Sequence, residues 1–181
     1  SVPDLSNYGW GKQFTVSVMF RRSRSDGRYC GIVSNGYYKH GSFEIRMGRE
    51  GGGTYFGGGL STKNSGSKKW QFWGARAPIA KWNHALMTYN GRSLLFYVNG
   101  KPQRTRNKGS SKMYVPMTGA VVSKKLPFYI GGSNNKKQWF NGAIKNVAIW
   151  NVGFKYRMVR ALYAAGGVVK TPTKTESGTD T

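Results

Sequence analysis

The chain has 181 residues, 29 of them Lys or Arg against six Asp or Glu, for a formal net charge of +23. A chain of this length buries about two thirds of its unfolded surface as one domain. A charge surplus of this size disfavours cationic partners and favours nucleic acid, anionic membrane or acidic polysaccharide. Cys30 is the one cysteine, so no intramolecular disulfide can form. No apolar run reaches the roughly 18 residues of a membrane span, and no signal peptide is visible. Because the chain opens on Ser1 rather than Met, a processed protein or a domain cut from a longer one is expected.

Period-two alternation dominates from the start, with glycine at the breaks, which predicts many short antiparallel strands. "QFTVSVMFRR" sends Phe14, Val16, Val18 and Phe20 to one face. Cys30 reads as a strand residue and a small buried hydrophobe. The segment "YYKH", Tyr37, Tyr38, Lys39 and His40, follows on a loop. "GSFEIRMG" then sends Phe43, Ile45 and Met47 one way and Glu44 and Arg46 the other. "GGGTYFGGGLST" predicts a strand whose glycines mark a bend or a close backbone approach. "SKKWQFWGAR" mixes Lys68, Lys69, Trp70, Trp73 and Arg76, the combination of stacking rings and anion donors that a charged sugar chain needs.

"WNHALMTYNGRSLLFYVNGKP" predicts a hairpin turning at Asn90-Gly91, and Asn99-Gly100 ends its second strand. The irregular stretch after it carries Lys101, Arg104, Arg106, Lys108, Lys112, Lys124 and Lys125 and no acid. A loop of this length is functional or mobile. "KLPFYIGGS" and "GAIKNVAIW" supply two more strands, and between them Lys136, Lys137, Gln138 and Trp139 fall on a turn. "KYRMVRALYAAGG" predicts one or two helical turns with Met158, Leu162 and Tyr163 near one face and glycine stopping it. Residues 1–167 are expected to form the domain, and 168–181 a flexible Thr/Ser-rich tail or linker.

The order of these motifs resembles the laminin-G-like, concanavalin-A-like lectin/glucanase superfamily. "KWNHALMTYNGRSLLFYVNGKP" is similar to its central hairpin, and "LPFYIGGSNNKKQWFNGAIKNVAIWN" to its next block. "MVRALYAAGG" is similar to its closing helical turn. The resemblance implies an all-β, two-sheet antiparallel jelly-roll sandwich with one short C-terminal helical turn, in agreement with the alternation. It also makes Phe140 structural and leaves Trp139, of opposite parity, as the exposed aromatic. His84 occupies a hairpin position where the family commonly has a histidine, so a structural role is implied. The chain departs from the family pattern in Asn99 and in Lys145-Asn146, where acids are usual.

Hydrolases on this fold use paired carboxylates, roughly 5 to 9.5 Å apart. Their Glu-x-Asp-x-x-Glu strand is absent, and an unbroken strand would separate Glu44 from Glu50 by about 20 Å. A polysaccharide lyase needs no enzyme carboxylate, and "YYKH" with Arg46 offers the required groups. The Arg-x-Glu-Leu-Arg and Gln-Ile-His motifs of jelly-roll alginate lyases are nevertheless missing. A non-catalytic, lectin-like module for a sulfated or uronic polysaccharide is therefore expected. Its ligand-binding residues are read as Lys136, Lys137, Gln138, Trp139, Lys68, Lys69, Trp70, Trp73, Arg76, Tyr37, Tyr38 and His40, with no cofactor. Such a domain belongs outside the cell or on a cell or virion surface. The alternative is a structural or assembly protein that uses the basic sandwich for protein contacts or non-specific nucleic-acid binding.

Calcium needs six to eight oxygen ligands, and only Asp4, Asp26, Glu44 and Glu50 precede the tail. Excess chelator is therefore expected to leave the melting temperature unchanged. A drop in Tm on chelation, restored by calcium, would contradict that reading.

Overall fold

The structure is a computed structural model, described for residues 11–24, 28–36, 42–48, 54–65, 71–105, 112–123, 125–133 and 138–168. Among these residues eleven strands and one helix follow in chain order. They are β1 (Phe14–Arg22), β2 (Cys30–Ser34), β3 (Phe43–Met47), β4 (Tyr55–Leu60), β5 (Phe72–Arg76) and β6 (Asn83–Tyr89). Then come β7 (Ser93–Val98), β8 (Lys101–Pro102), β9 (Val115–Pro116), β10 (Tyr129–Ile130), β11 (Gly142–Trp150) and α1 (Tyr156–Ala164). One sheet has the order β11-β1-β6-β7-β8 with β9 also on β7, and the other has the order β10-β2-β3-β4-β5. Every pairing between named strands is antiparallel. Among the described residues no helix is long and apolar enough to cross a membrane.

The alternation read from the sequence builds the core. Phe14, Val16, Val18 and Phe20 of β1 are fully buried, as are Phe43, Ile45, Phe56, Leu60 and Phe72 of the facing sheet. Their rings meet across the sandwich. Phe14 lies 4.9 Å from Phe43, Phe20 lies 5.0 Å from Phe56, and Phe96 stacks on Phe72 at 5.6 Å. Each such pair contributes about 0.5–1.5 kcal/mol beyond its buried area. Gly58 makes room for this ladder, because a Cβ there would lie 2.9 Å from the Phe96 ring. Cys30 is buried in the same core.

The turns follow the local chemistry. The Oδ1 of Asn90 accepts from the N–H groups of Arg92 (3.0 Å) and Ser93 (2.8 Å), closing the β6–β7 hairpin. Asn99 and Gly100 take φ of 50° and 72°, the left-handed pair of a type I′ turn. This second turn does more than end β7, since it leads straight into β8.

The outer face of the β1 sheet is closed by α1. Val159 and Leu162 are buried against Leu86 and Tyr97. This corrects the expected face, because Met158 and Tyr163 are exposed and the buried stripe runs through Val159. A short polar-flanked helix has several possible stripes, and the sheet beneath selects one of them. The helix ends at Gly166 and Gly167, with φ of 67° and 75°.

His84 sits on this face, fully buried, with its Nε2 2.7 Å from the Ser17 hydroxyl and its ring stacked on Tyr163 at 5.7 Å. Its Nδ1 is also buried and meets no hydrogen-bond partner among the described residues. Burial disfavours the imidazolium and lowers the pKa to about 4. The unfolded chain, with an ordinary pKa of 6.5, therefore binds a proton that the folded chain resists. Stability is full above pH 6.5 and falls as the pH drops from 6.5 toward 4. The loss should reach about 3 kcal/mol, read as a lowered urea midpoint. His84→Gln should flatten the curve in that window, and an unchanged pH profile in the variant would refute this role.

Candidate functional site

The outer face of the β2–β5 sheet carries the candidate surface. Phe56 and Leu60 point into the core, so Tyr55, Gly57 and Gly59 point outward. Pairing sets Trp73 of β5 opposite Gly57 and Arg76 opposite Tyr55. Arg46 and Glu44 of β3 lie opposite Gly57 and Gly59, and Gly31 and Ser34 of β2 lie opposite Arg46 and Glu44. The expectation that Glu44 and Arg46 leave the core face holds. Both are nevertheless buried, and the Arg46 guanidinium lies 4.6 Å from the centre of the Tyr29 ring.

Glycine lets an aromatic ring lie on the sheet at each edge. At the β5 edge the Trp73 ring covers Gly57, where a Cβ would come within 2.7 Å of its Cε3. Trp73 is half-buried. It also lines a cleft of about 390 Å³ at the open edge between the sheets, with Phe72, Phe96, Arg104 and Met113. Beside it Arg76 is exposed, its Nη2 donating to the Tyr55 hydroxyl at 3.1 Å and its guanidinium 5.4 Å from the Tyr55 ring. The phenol holds the guanidinium in place and leaves it its full charge.

At the opposite edge the chain leaving β10 folds over β2. The Gly132 carbonyl accepts from the Ser34 hydroxyl at 3.3 Å. A Cβ on Gly31 would lie only 2.1 Å from that carbonyl oxygen, so glycine is required there. The Trp139 ring rests on Gly132 in turn, 2.7 Å from where its Cβ would be, and Trp139 is 62% exposed. Two backbone bonds pin this loop, from the Gly31 N–H to the Gln138 carbonyl (3.3 Å) and from the Phe140 N–H to the Gly131 carbonyl (2.9 Å). Phe140 turns inward to meet Phe20 at 6.0 Å.

Of the twelve residues read as ligand-binding, four fall among the described residues. Trp73 and Arg76 are neighbours on one edge, and Trp139 belongs to the loop folded over the other, so that β3 runs between the glycines of β4 and β2 that are covered from the two sides. Gln138, expected to face a ligand, is buried, and its Oε1 accepts from the Ser133 hydroxyl at 3.3 Å. It supports the loop that presents Trp139. Lys136, Lys137, Lys68, Lys69, Trp70, Tyr37, Tyr38 and His40 lie outside the described residues. Sequence reasoning missed Tyr55, whose only signal was its shared parity with Gly57 and Gly59.

Comparison with known proteins agrees with this architecture. Residues 1–155 match the family model described as the concanavalin A-like lectin/glucanases superfamily. A search of curated protein sequences finds none similar to this chain. Among solved structures, a heptameric SAP-like pentraxin from Limulus polyphemus superposes with a TM-score of 0.58 at 16% identity, over 87% of this chain and 72% of the pentraxin. Trypanosoma rangeli sialidase gives a TM-score of 0.59 at 16% identity, over 85% of this chain but 23% of the sialidase. The binding domain of botulinum neurotoxin DC, solved in complex with SialylT, gives 0.58 at 13% identity, over 88% of this chain and 37% of that one. At these identities the likeness is one of fold. The alternating strands, the two facing sheets and the matched family model together place the chain in the concanavalin A-like lectin/glucanase superfamily.

Proposed function

We propose that this domain is a non-catalytic, lectin-like module that binds an anionic polysaccharide, sulfated or uronic, outside the cell or on a cell or virion surface. The observation that carries the reading is the pair Trp73 and Trp139, each laid on a glycine at opposite edges of one sheet face, with Arg76 fixed beside the first. An exposed indole contributes little to folding, whereas the apolar face of a sugar ring covers it. Sulfates and carboxylates at the ring edge take charge-assisted hydrogen bonds from Arg and Lys. With β3 running between the two covered glycines, a chain of sugars rather than a single ring is the ligand that reaches both indoles. Lys136, Lys137, Lys68, Lys69, Trp70, Tyr37, Tyr38 and His40, which lie outside the described residues, are proposed as further contacts on their chemistry alone.

The absence of catalysis is part of the proposal. Glu44 is the one acid among the described residues, and it is fully buried. The likeness to the sialidase covers 23% of that enzyme and, at 16% identity, is one of fold. A structural or nucleic-acid role is the competing outcome, and it would show as binding without preference among polyanions.

Each exposed ion pair is worth only about 0–1 kcal/mol, so affinity must come from several charges plus stacking. Trp139→Ala is expected to weaken binding to a sulfated polysaccharide roughly two- to tenfold, and to do so at high salt as well. Lys136→Ala with Lys137→Ala should mainly flatten the salt dependence. Affinity electrophoresis at matched ionic strength measures both. Parent-like binding by both variants, or equal retention of DNA and neutral glycans, would overturn the assignment.

A further inference from the structure

On the opposite sheet, the β7–β8 turn and α1 enclose an open pocket of about 480 Å³ lined by Val98, Asn99, Lys101, Gln103, Arg160 and Tyr163. This volume lies in the range of small-ligand sites. Among the described residues the lining combines two cations from separate elements, two amides and one aromatic ring, with no acid. We infer that this pocket is a second saccharide site, which takes a single sulfated or carboxylated ring, so that one domain holds two segments of polysaccharide. The class of ligand rests on the function proposed above, while the surface is a different one.

The pocket is held in shape before any ligand arrives. The Asn99 N–H donates to the His84 carbonyl (2.9 Å), and the Asn99 Oδ1 accepts from the His84 N–H (2.8 Å). This fixes the side chain and leaves its amide N–H₂ as the group that Asn99 can offer. The Gln103 Nε2 donates to the Lys101 and Pro102 carbonyls at 3.1 and 3.3 Å, leaving its Oε1 to accept from a sugar hydroxyl. Tyr163 is wedged between the His84 ring and the turn, where a Cβ on Gly100 would come within 2.9 Å of it. Arg160 is steadied by donating to the Tyr156 hydroxyl at 3.3 Å. Ordering of this kind reduces the entropy lost on binding.

Charge gives the pocket its selectivity. Lys101 and Arg160 are exposed and repel each other across the pocket, and an oxyanion between them satisfies both. The aromatic ring and the paired donor and acceptor amides suit a hydroxylated ring better than a bare ion.

Titration calorimetry with a heparin tetrasaccharide and, separately, with tetragalacturonate tests the inference. The probe that binds identifies the anion as sulfate or carboxylate. The unmodified domain should bind two molecules, and Lys101→Gln with Arg160→Gln should reduce this to one by weakening the second site about tenfold or more, at unchanged Tm. Lys155→Gln with Arg157→Gln removes the same charge from exposed positions outside the pocket and should leave two. A single site that is lost in Trp139→Ala and untouched by the pocket variant overturns the inference and leaves the proposed function standing. Equal weakening by both charge variants reduces the effect to net charge and also overturns it. Failure of the unmodified domain to bind either probe defeats the polysaccharide reading itself.

Discussion

The structure depends on one contact, the ladder of phenylalanines between the two sheets. Each strand can bury one face only, so period-two apolar residues must meet a second sheet of the same kind. Phe14 on Phe43, Phe20 on Phe56 and Phe96 on Phe72 are that meeting. Once the inner faces are joined, the two outer faces are released for other tasks. One is closed in part by Val159 and Leu162 of α1. The other is left with glycines where strands of a closed core would carry bulk, and aromatic rings lie on those glycines.

The charge is the second constraint. A chain with 29 basic and six acidic residues cannot neutralise itself through internal ion pairs. It manages its cations by other means that the structure shows. Arg46 and Arg76 lie against tyrosine rings, while Arg21 and Lys145 both lie over Trp82, at 5.4 and 4.3 Å from its centre. A ring holds a cation near the surface without cancelling its charge. Arg76 held beside Trp73, and Lys101 and Arg160 around Tyr163, therefore remain available to an anionic partner.

Much of this fold is legible in the sequence because it is local. Alternation in β1 and β3 and the Asn90-Gly91 and Asn99-Gly100 turns follow from period and turn chemistry, and the inward turn of Phe140 agrees with what the family resemblance implies. What sequence cannot supply is register. Bulges between Gly31 and Val33 and between Phe56 and Gly57 shift the pairing and decide what stands opposite what. Only after those shifts does Trp73 lie on Gly57 and Arg76 face Tyr55. The burial of Gln138 and the place of Val159 in the helix stripe are likewise set by neighbours distant in the chain. Residue chemistry marks Trp73 and Trp139 alike, and only the sheet order sets them at opposite edges of one face.

The decisive question is whether one sulfated or uronic chain lies across that face. Indole N–H resonances, followed while a sulfated oligosaccharide is added at physiological salt, measure this directly. The account predicts that the signals of Trp73 and Trp139 shift together along one saturating curve. Trp150, packed at 4.6 Å against Phe154 beneath the helix on the other sheet, should stay in place. Unshifted Trp73 and Trp139 signals, or small non-saturating drifts of all indoles that vanish with added salt, would contradict it.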